Sequence, residues 1–331
     1  MRVLVTGASG FLGSYLVEEL VRQGRHEVVA LVRSSSNISR LVELGVELRH
    51  GDMTDAASLM EAVQGVDAVV HLAAYYTFFG KKDMHMRVNV EGTRDLLEAM
   101  LYNRVPWIIY CSTTEVIGPT TGGAADEDAP SNPAYEYGAS KVRAERLVME
   151  YGEKGVRYTI VRPSGIYGPR NLDDVSYWFI TTFARSIASR FMIGSGQKVL
   201  MFVHVKDVVQ GFLLCLDKPE VAQGKVYFIT DQRAYSYEEL YGIMADILGK
   251  PRPRLHLPVF LAKIMVAPIQ GLDALRGKRN FIWRIKTMDT FKVDRHYSIN
   301  RAVKDLSYRP SYDLASGLRE TIQWYKDNGY L

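Results

Sequence analysis

The stretch Thr6-Gly7-Ala8-Ser9-Gly10-Phe11-Leu12-Gly13 restricts this chain to a small set of folds. It follows directly on a β-branched run, Val3–Thr6. It then opens into Phe11–Gln23, where Leu12, Leu16, Val17, Leu20 and Val21 fall on one stripe before Gly24. The apolar pattern thus changes from strand to helix spacing across a glycine-rich turn, which predicts a strand passing straight into a helix. Gly7 would allow the tight turn, Gly10 a close approach of backbone to ligand, and Gly13 close packing of helix on strand. A helix starting there offers unpaired N–H groups and the positive end of its dipole, which suit phosphate. Gly7, Ser9, Gly10, Phe11, Leu12 and Gly13 are therefore candidates for holding the pyrophosphate of a dinucleotide.

Further candidate strands, Glu27–Val32, Val46–His50, Ala68–His71, Trp107–Ser112 and Tyr158–Arg162, alternate with helical patterns that include Asn89–Tyr102 and Tyr137–Tyr151. That alternation predicts βαβ units and a parallel sheet. Such sheets bury both faces, which accounts for the unbroken apolar character of Val66–Leu72. After Arg162 the pattern weakens. Gly165–Gly196 reads as a loop with one helix, Val175–Ser189. A helix at Lys206–Asp217 and a strand at Lys225–Thr230 then return to the sheet. Helices around Tyr237–Leu248, Val259–Arg276 and Leu314–Asn328 fill the remainder. The expected fold is α/β, a Rossmann-type doubly wound parallel sheet with a smaller, interleaved C-terminal substrate lobe. Residues 1–165, with 203–230 returning to them, would form the dinucleotide-binding domain, and 166–202 with 231–331 the substrate lobe.

Several function classes drop out. Hydrophobic residues make up 47% and charged residues 24% of the 331, ordinary for a globular chain and unlike a disordered one. A net charge of +4 gives no reason to expect nucleic-acid binding. Two cysteines, Cys111 and Cys215, rule out a disulfide framework and suit a reducing compartment. The seven histidines are scattered, with no HExxH, so no metal centre is expected. No apolar run reaches the roughly 18 residues of a membrane helix, and the chain opens directly into a strand pattern, so the expected location is the cytoplasm. Charge is uneven, however. Between Lys250 and Pro310 stand fourteen Lys/Arg and four Asp, formally +10. That basic stretch reads as a solvated face, a site for an anionic substrate, or a peripheral contact with an anionic membrane through Leu257–Ile269 and Arg276–Lys286.

About twenty residues past Gly13, an NAD site places an acid against the ribose hydroxyl. Here Arg33 is followed by Ser34, Ser35 and Ser36, and no acid lies between Ala30 and Leu41. Arg33 could fork onto a 2′-phosphate and Ser34 donate to it, which favours NADP, with NAD the alternative. Farther along, Tyr137-Gly138-Ala139-Ser140-Lys141 puts a phenol and an ammonium on one helix face, where the cation would favour the phenolate and ready it for proton transfer. Ser112, Thr113 and Thr114 offer hydroxyls at a strand's C-terminal end, where α/β sites form.

In order, the chain carries TGASGFLG at Thr6–Gly13, GDMTD at Gly51–Asp55, HLAA at His71–Ala74 and NVEGT at Asn89–Thr93. STTEVIG at Ser112–Gly118, YGASK at Tyr137–Lys141, RPSGIYGP at Arg162–Pro169 and VHVKDV at Val203–Val208 follow. This series resembles the extended short-chain dehydrogenase/reductase family over nearly the whole chain. The resemblance implies that Tyr137 is the proton donor or acceptor, that Lys141 binds the nicotinamide ribose and tunes the tyrosine, and that Thr113 bonds the substrate oxygen, with Ser112 its runner-up. It implies adenine contacts from Asp52 and Met53, pyrophosphate-side contacts from Leu72, Ala73 and Ala74, and carboxamide contacts from Pro163 and Ser164. Asn89 would order the active-site backbone, and the helices Asn89–Tyr102 and Tyr137–Tyr151 would pair in a homodimer.

Two enzymatic branches fit. RPSGIYGP resembles the 3β-hydroxysteroid dehydrogenase and dihydroflavonol-reductase branch, because sugar-nucleotide enzymes carry Asn where Ser164 stands. The aromatic run Tyr75–Phe79 suits a lipophilic substrate, with Tyr75, Ser112 and Glu115 as candidate contacts. That branch implies interconversion of a ketone or aldehyde and an alcohol. The other reading is a nucleotide-sugar 4-epimerase or 4,6-dehydratase using Thr113, Glu115, Tyr137 and Lys141. A nucleotide-sensing regulator without chemistry ranks last, since such proteins lose the tyrosine or the lysine.

Overall fold

The structure, a computed structural model, describes residues 1–172, 175–185, 187–275 and 282–331. Seven strands form the main sheet: β1 (Arg2–Thr6), β2 (Glu27–Val32), β3 (Glu47–His50), β4 (Ala68–His71), β5 (Trp107–Cys111), β6 (Arg157–Pro163) and β7 (Lys225–Ile229). Their spatial order is β3-β2-β1-β4-β5-β6-β7, and every neighbouring pair is parallel. This is the Rossmann-like doubly wound α/β fold. The order reverses between β1 and β4, whose ends meet where Thr6 pairs with His71. A crevice opens at such a reversal, outside the carboxyl ends of the strands.

Both faces of the sheet are covered, as the apolar strands require. On one face the helix Phe11–Gln23 sets Leu16, Val17 and Leu20 against Val3 and Val5, and the helix Val205–Asp217 adds Val208 and Phe212. On the other, Leu96, Leu97 and Met100 of the helix Gly92–Tyr102 pack with Ala144 and Val148 of the helix Glu136–Glu153. A third core lies beyond the strand ends. There the helices Val175–Arg185, Tyr237–Leu248, Val259–Leu275 and Leu314–Asp327 surround Phe183, Tyr241, Met244 and Phe291. Short strand pairs tie this lobe back, among them Phe202–His204 beside Gly165–Tyr167.

Some boundaries differ from the sequence reading. The expected helix Asn89–Tyr102 is preceded by a widened π-helical segment, His85–Glu91, and turns α-helical from Gly92. Gly92 stands at the change, and a side chain there would come within 2.4 Å of the Met53 carbonyl oxygen. The expected helix Val175–Ser189 ends at Arg185, and a 3-10 turn, Ile187–Arg190, leads into the strand Phe191–Ile193. A short helix, Ala56–Ala62, was not anticipated; the Asp55 side chain caps it by accepting from Ala57 N at 3.1 Å. Residues 276–281 of the Arg276–Lys286 stretch, and the Arg276 end of the expected helix, lie outside the described residues.

Candidate active site

The glycine turn is built by contact. Gly7 has a φ of 70°, and a side chain there would lie 2.8 Å from Ala73 N. At Gly13 it would lie 2.1 Å from the Gly7 carbonyl oxygen, so the helix can start against the loop only with glycine at that position. Ala73 N donates to Thr6 Oγ1 at 3.1 Å, fixing the ends of β1 and β4 to each other.

A buried polar chain continues from there. Thr93 Oγ1 donates to the Asn89 carbonyl at 2.8 Å, so it accepts from His71 Nε2 at 3.1 Å, and His71 Nδ1 then accepts from Thr6 Oγ1 at 2.7 Å. Asn89 closes the chain. Its Oδ1 accepts from Tyr75 N at 2.7 Å, and its Nδ2 donates to the Tyr75 carbonyl at 3.2 Å and to Ser140 Oγ at 3.0 Å. Asn89 therefore joins the segment after β4 to the helix that carries Tyr137 and Lys141.

Burial, with the nearby Lys141 charge, pushes the His71 pKa from 6.5 down to about 3. The unfolded chain binds a proton on this histidine below pH 6.5, where the folded chain does not. This contribution to stability is complete above that pH and should fall by about 2 kcal/mol by about pH 5. Urea titrations at the two pH values should show a loss in the wild type that is smaller by about that amount in His71→Asn, the remainder belonging to groups such as His204, whose pKa burial lowers to about 4. Equal losses in the two would exclude His71 as a source.

Tyr137 and Lys141 occupy successive turns of the helix Glu136–Glu153, and both are buried. Tyr76 meets the Tyr137 ring edge-on at 5.0 Å, and His85 lies 6.2 Å away. Lys141 Nζ donates to the Cys111 carbonyl at 2.6 Å and sits 4.1 Å above the Tyr110 ring. Burial pushes its pKa down to about 8. Thr113 caps the turn Thr114–Val116, its Oγ1 accepting from Glu115 N at 3.1 Å. Glu115 is buried. Its Oε1 accepts from Ala134 N at 3.0 Å and its Oε2 from Arg295 Nη1 at 2.5 Å.

One cavity of about 1020 Å³ runs past the Gly7 turn, Thr113, Glu115, Tyr137 and Lys141, while His71, Asn89 and Thr93 do not line it. Gly7, Ser9, Gly10, Phe11 and Leu12 line it at one end, with Arg33, Asp52 and Met53 beside them. Leu72, Ala73, Ala74, Tyr75, Ser112, Thr113, Glu115, Tyr137, Lys141, Pro163 and Ser164 line its middle. Gly13 and Ser34 do not line it: Gly13 packs against the loop, Ser34 is exposed, and Ser36 faces the cavity instead. Asp52 Oδ1 accepts from Thr54 N at 2.8 Å and Thr54 Oγ1 at 2.7 Å, which holds that carboxyl below its usual range. The far aromatic wall comes from segments that the sequence assigns to the substrate lobe, though not residue by residue, and Arg295 was not singled out. Arg295 lies 180 positions from Glu115, and no local pattern announces it.

The volume lies at the upper limit of the roughly 300–1,000 Å³ of ligand sites. Ser112 Oγ and Ser164 Oγ are buried and have no hydrogen-bond partner among the described residues, although both residues line the cavity. Buried hydroxyls in that state call for a polar ligand. Together with the turn at Gly7 and Gly10, they fit a dinucleotide.

Comparison with known proteins is consistent with this geometry. A sequence profile of the NAD dependent epimerase/dehydratase family matches residues 3–230, more than half of the chain. The chain belongs to that family. Among its relatives, the sterol demethylase protein B of Methylococcus capsulatus is 28% identical over 344 residues, covering 100% of both chains. A 3-beta-hydroxysteroid dehydrogenase of Mycolicibacterium neoaurum is 28% identical, covering 98% of this chain and 92% of its own. The dTDP-glucose 4,6-dehydratase of Streptomyces venezuelae, solved with NAD bound, superposes with a TM-score of 0.77 at 28% identity, covering 100% of this chain and 98% of that one. The protein is an enzyme of the extended short-chain dehydrogenase/reductase type, with a nicotinamide dinucleotide as its cofactor.

Proposed function

We propose that this enzyme interconverts a ketone or aldehyde and an alcohol on a lipophilic substrate, with NADP as its cofactor. The observation that carries this reading is the wall of the cavity beyond Tyr137, formed by Phe179, Phe183, Tyr241, Met265, Met288 and Phe291. Such a wall suits a steroid-like or flavonoid-like skeleton, with Thr182, Thr287 and Thr290 on the same lining as polar contacts for its oxygens. The sugar dehydratase reading needs Glu115 to move a proton, and that carboxylate is engaged by Arg295 and Ala134 N.

Gly7, Ser9, Gly10, Phe11 and Leu12 would hold the pyrophosphate, Met53 the adenine, and Ser164 with Pro163 the carboxamide. When bound, the nicotinamide supplies or accepts the hydride. Thr113 and Tyr137 would bond the substrate oxygen, with Ser112 available beside them. Tyr137 would give its phenol proton to the developing alkoxide, or take it in the reverse direction. Lys141, with a pKa of about 8, exchanges its own proton readily near neutral pH and can resupply the tyrosine.

Arg33 would read the 2′-phosphate with Ser36, since the nearby Asp52 carboxylate is engaged by Thr54. Arg33→Ala should weaken NADPH binding by more than about tenfold and leave NADH binding nearly unchanged, as loss of a charge-assisted contact would. Equal effects on both would remove Arg33 from phosphate recognition.

Residues 1–165 and 203–230 would serve the cofactor, and 166–202 with 231–331 the substrate. A homodimer pairing the helices Gly92–Tyr102 and Glu136–Glu153 fits the exposed Leu101 and Tyr102. Two free cysteines suit a cytoplasmic location. The deciding experiment is a turnover screen with NADPH and NADP⁺ across sterols, flavonoid-like ketones, aldehydes and nucleotide sugars. A net change at the nicotinamide absorbance band with lipophilic carbonyls is the expected result. Conversion of nucleotide sugars with no net change would overturn the reading in favour of an epimerase.

A further inference from the structure

The helix Val259–Leu275 is held by one side only. Val259, Ala262 and Val266 pack into the lobe's core. The opposite arc carries Phe260, Leu261, Ile264, Met265, Ile269 and Leu272, all exposed, with Phe260 at 61% and Ile264 at 65%. Lys263 does not interrupt this arc; its ammonium is turned to Asp289 Oδ2 at 2.8 Å. Gln270 likewise turns aside to accept from Ile285 N at 3.0 Å. Single exposed apolar residues are ordinary, but six adjoining ones on one helix mark a surface that meets something other than water.

Met265 and Ile269 belong to that arc and also line the active-site cavity. The apolar surface and the cavity therefore share one wall. The charge around it is equally one-sided. Arg254 precedes the helix, and Arg284 and Lys286 follow it. Arg252 pairs with Asp246, Lys263 and Lys292 share Asp289, and Arg295 pairs with Glu115. Yet the stretch from Lys250 to Pro310, with fourteen Lys/Arg, four Asp and no Glu, keeps an excess of cations. A basic apolar surface complements a bilayer with anionic headgroups better than it does a protein face of unspecified charge. The described part of the helix has 17 residues, or about 26 Å, and buries one face in the lobe's core. No helix among the described residues is long and apolar enough to cross a membrane. The geometry suits a helix lying in the plane of the interface.

We propose that this arc docks the enzyme on an anionic lipid surface, and that the cavity takes its substrate from that surface through the wall shared by Met265 and Ile269. The docking stands on the arc and its charge; the entry of substrate rests on the lipophilic reading above.

The test is co-sedimentation of the full chain with phosphatidylcholine vesicles, with and without phosphatidylglycerol, in the absence of substrate. The wild type should pellet with the anionic vesicles and much less with the neutral ones. Phe260→Glu and Ile264→Glu, neither of which lines the cavity, should each lose at least about tenfold in partitioning. Their melting temperatures and turnover of a water-soluble ketone should be unchanged, while turnover of a vesicle-borne ketone falls. Failure to pellet with anionic vesicles, or equal partitioning of wild type and variants, overturns the proposal. So does light scattering in which the variants convert a dimer to a monomer while vesicle binding stays the same, because a second copy then covers the arc. Vesicle binding without reduction of any carbonyl would sink the proposed activity and leave the docking intact.

Discussion

Tyr137→Phe should cut carbonyl turnover by about 10²–10⁴-fold, the usual worth of a positioned general acid, and leave nucleotide affinity within about twofold. The substitution removes one hydroxyl and keeps the ring. That ring is buried, with Tyr76 edge-on at 5.0 Å and Phe78 at 5.8 Å, so phenylalanine fits the same space. The cofactor contacts proposed for Ser164 and the Gly7 turn are untouched. Steady-state kinetics and a fluorescence titration of NADPH separate the two effects. Retained turnover would take Tyr137 out of the mechanism and pass its role to Thr113 or Ser112.

The second large effect concerns the same helix, two turns beyond Tyr137. Glu145 is buried and receives two bonds from Arg162, at 2.9 Å from Nε and 2.7 Å from Nη2. Arg162 Nη1 donates to the Glu127 carbonyl at 2.8 Å. Both side chains are about 5% exposed. Glu145→Ala would strand a guanidinium away from water, and the expected loss is about 3–5 kcal/mol in urea unfolding. Replacing both partners, Glu145→Leu with Arg162→Met, should recover most of that loss, since the penalty comes from the unpaired charge. A single variant as stable as the wild type would mean that solvent reaches the pair. Because Glu145 follows Lys141 by one turn, Glu145→Ala should also lower turnover, on the proposed roles of Tyr137 and Lys141, by loosening their helix on β6.

Much of this architecture was legible because its signals are local. The turn from Gly7 to Gly13 lies within one strand–helix junction, and the spacing of Tyr137 and Lys141 lies within one helix. The apolar strands announced a sheet buried on both faces, and the strand and helix at 205–229 returned to it as their patterns suggested. The illegible parts depend on distant partners. Glu115 suits either a proton carrier or the partner of an arginine in sequence, and only the fold brings Arg295 to it. Ser34 and Ser36 look interchangeable in sequence, and only the turn after β2 decides which one faces the cavity. The π-helical widening at His85–Glu91 has no periodic signature of its own; it is shaped by the Asn89 bonds to the Tyr75 backbone and by the tight contact at Gly92. The substrate wall gathers Phe183, Tyr241, Met265 and Phe291 from four separate segments, none of which reads as a site alone.

The place of β1 in the sheet has a consequence for synthesis. β1 is an interior strand, third from the β3 edge, and β2 and β4 flank it. Among these seven strands the sheet therefore grows outward from β1, first through β2 to β3 and then through β4 toward β7, as translation proceeds. Its last member, β7, is not made until residue 229, after the helices Val175–Arg185 and Val205–Asp217 but before most of the lobe. Until then β6 is a bare edge able to recruit another nascent chain. Elongation between residues 163 and 225 is thus the interval in which a chaperone matters most to this protein's yield.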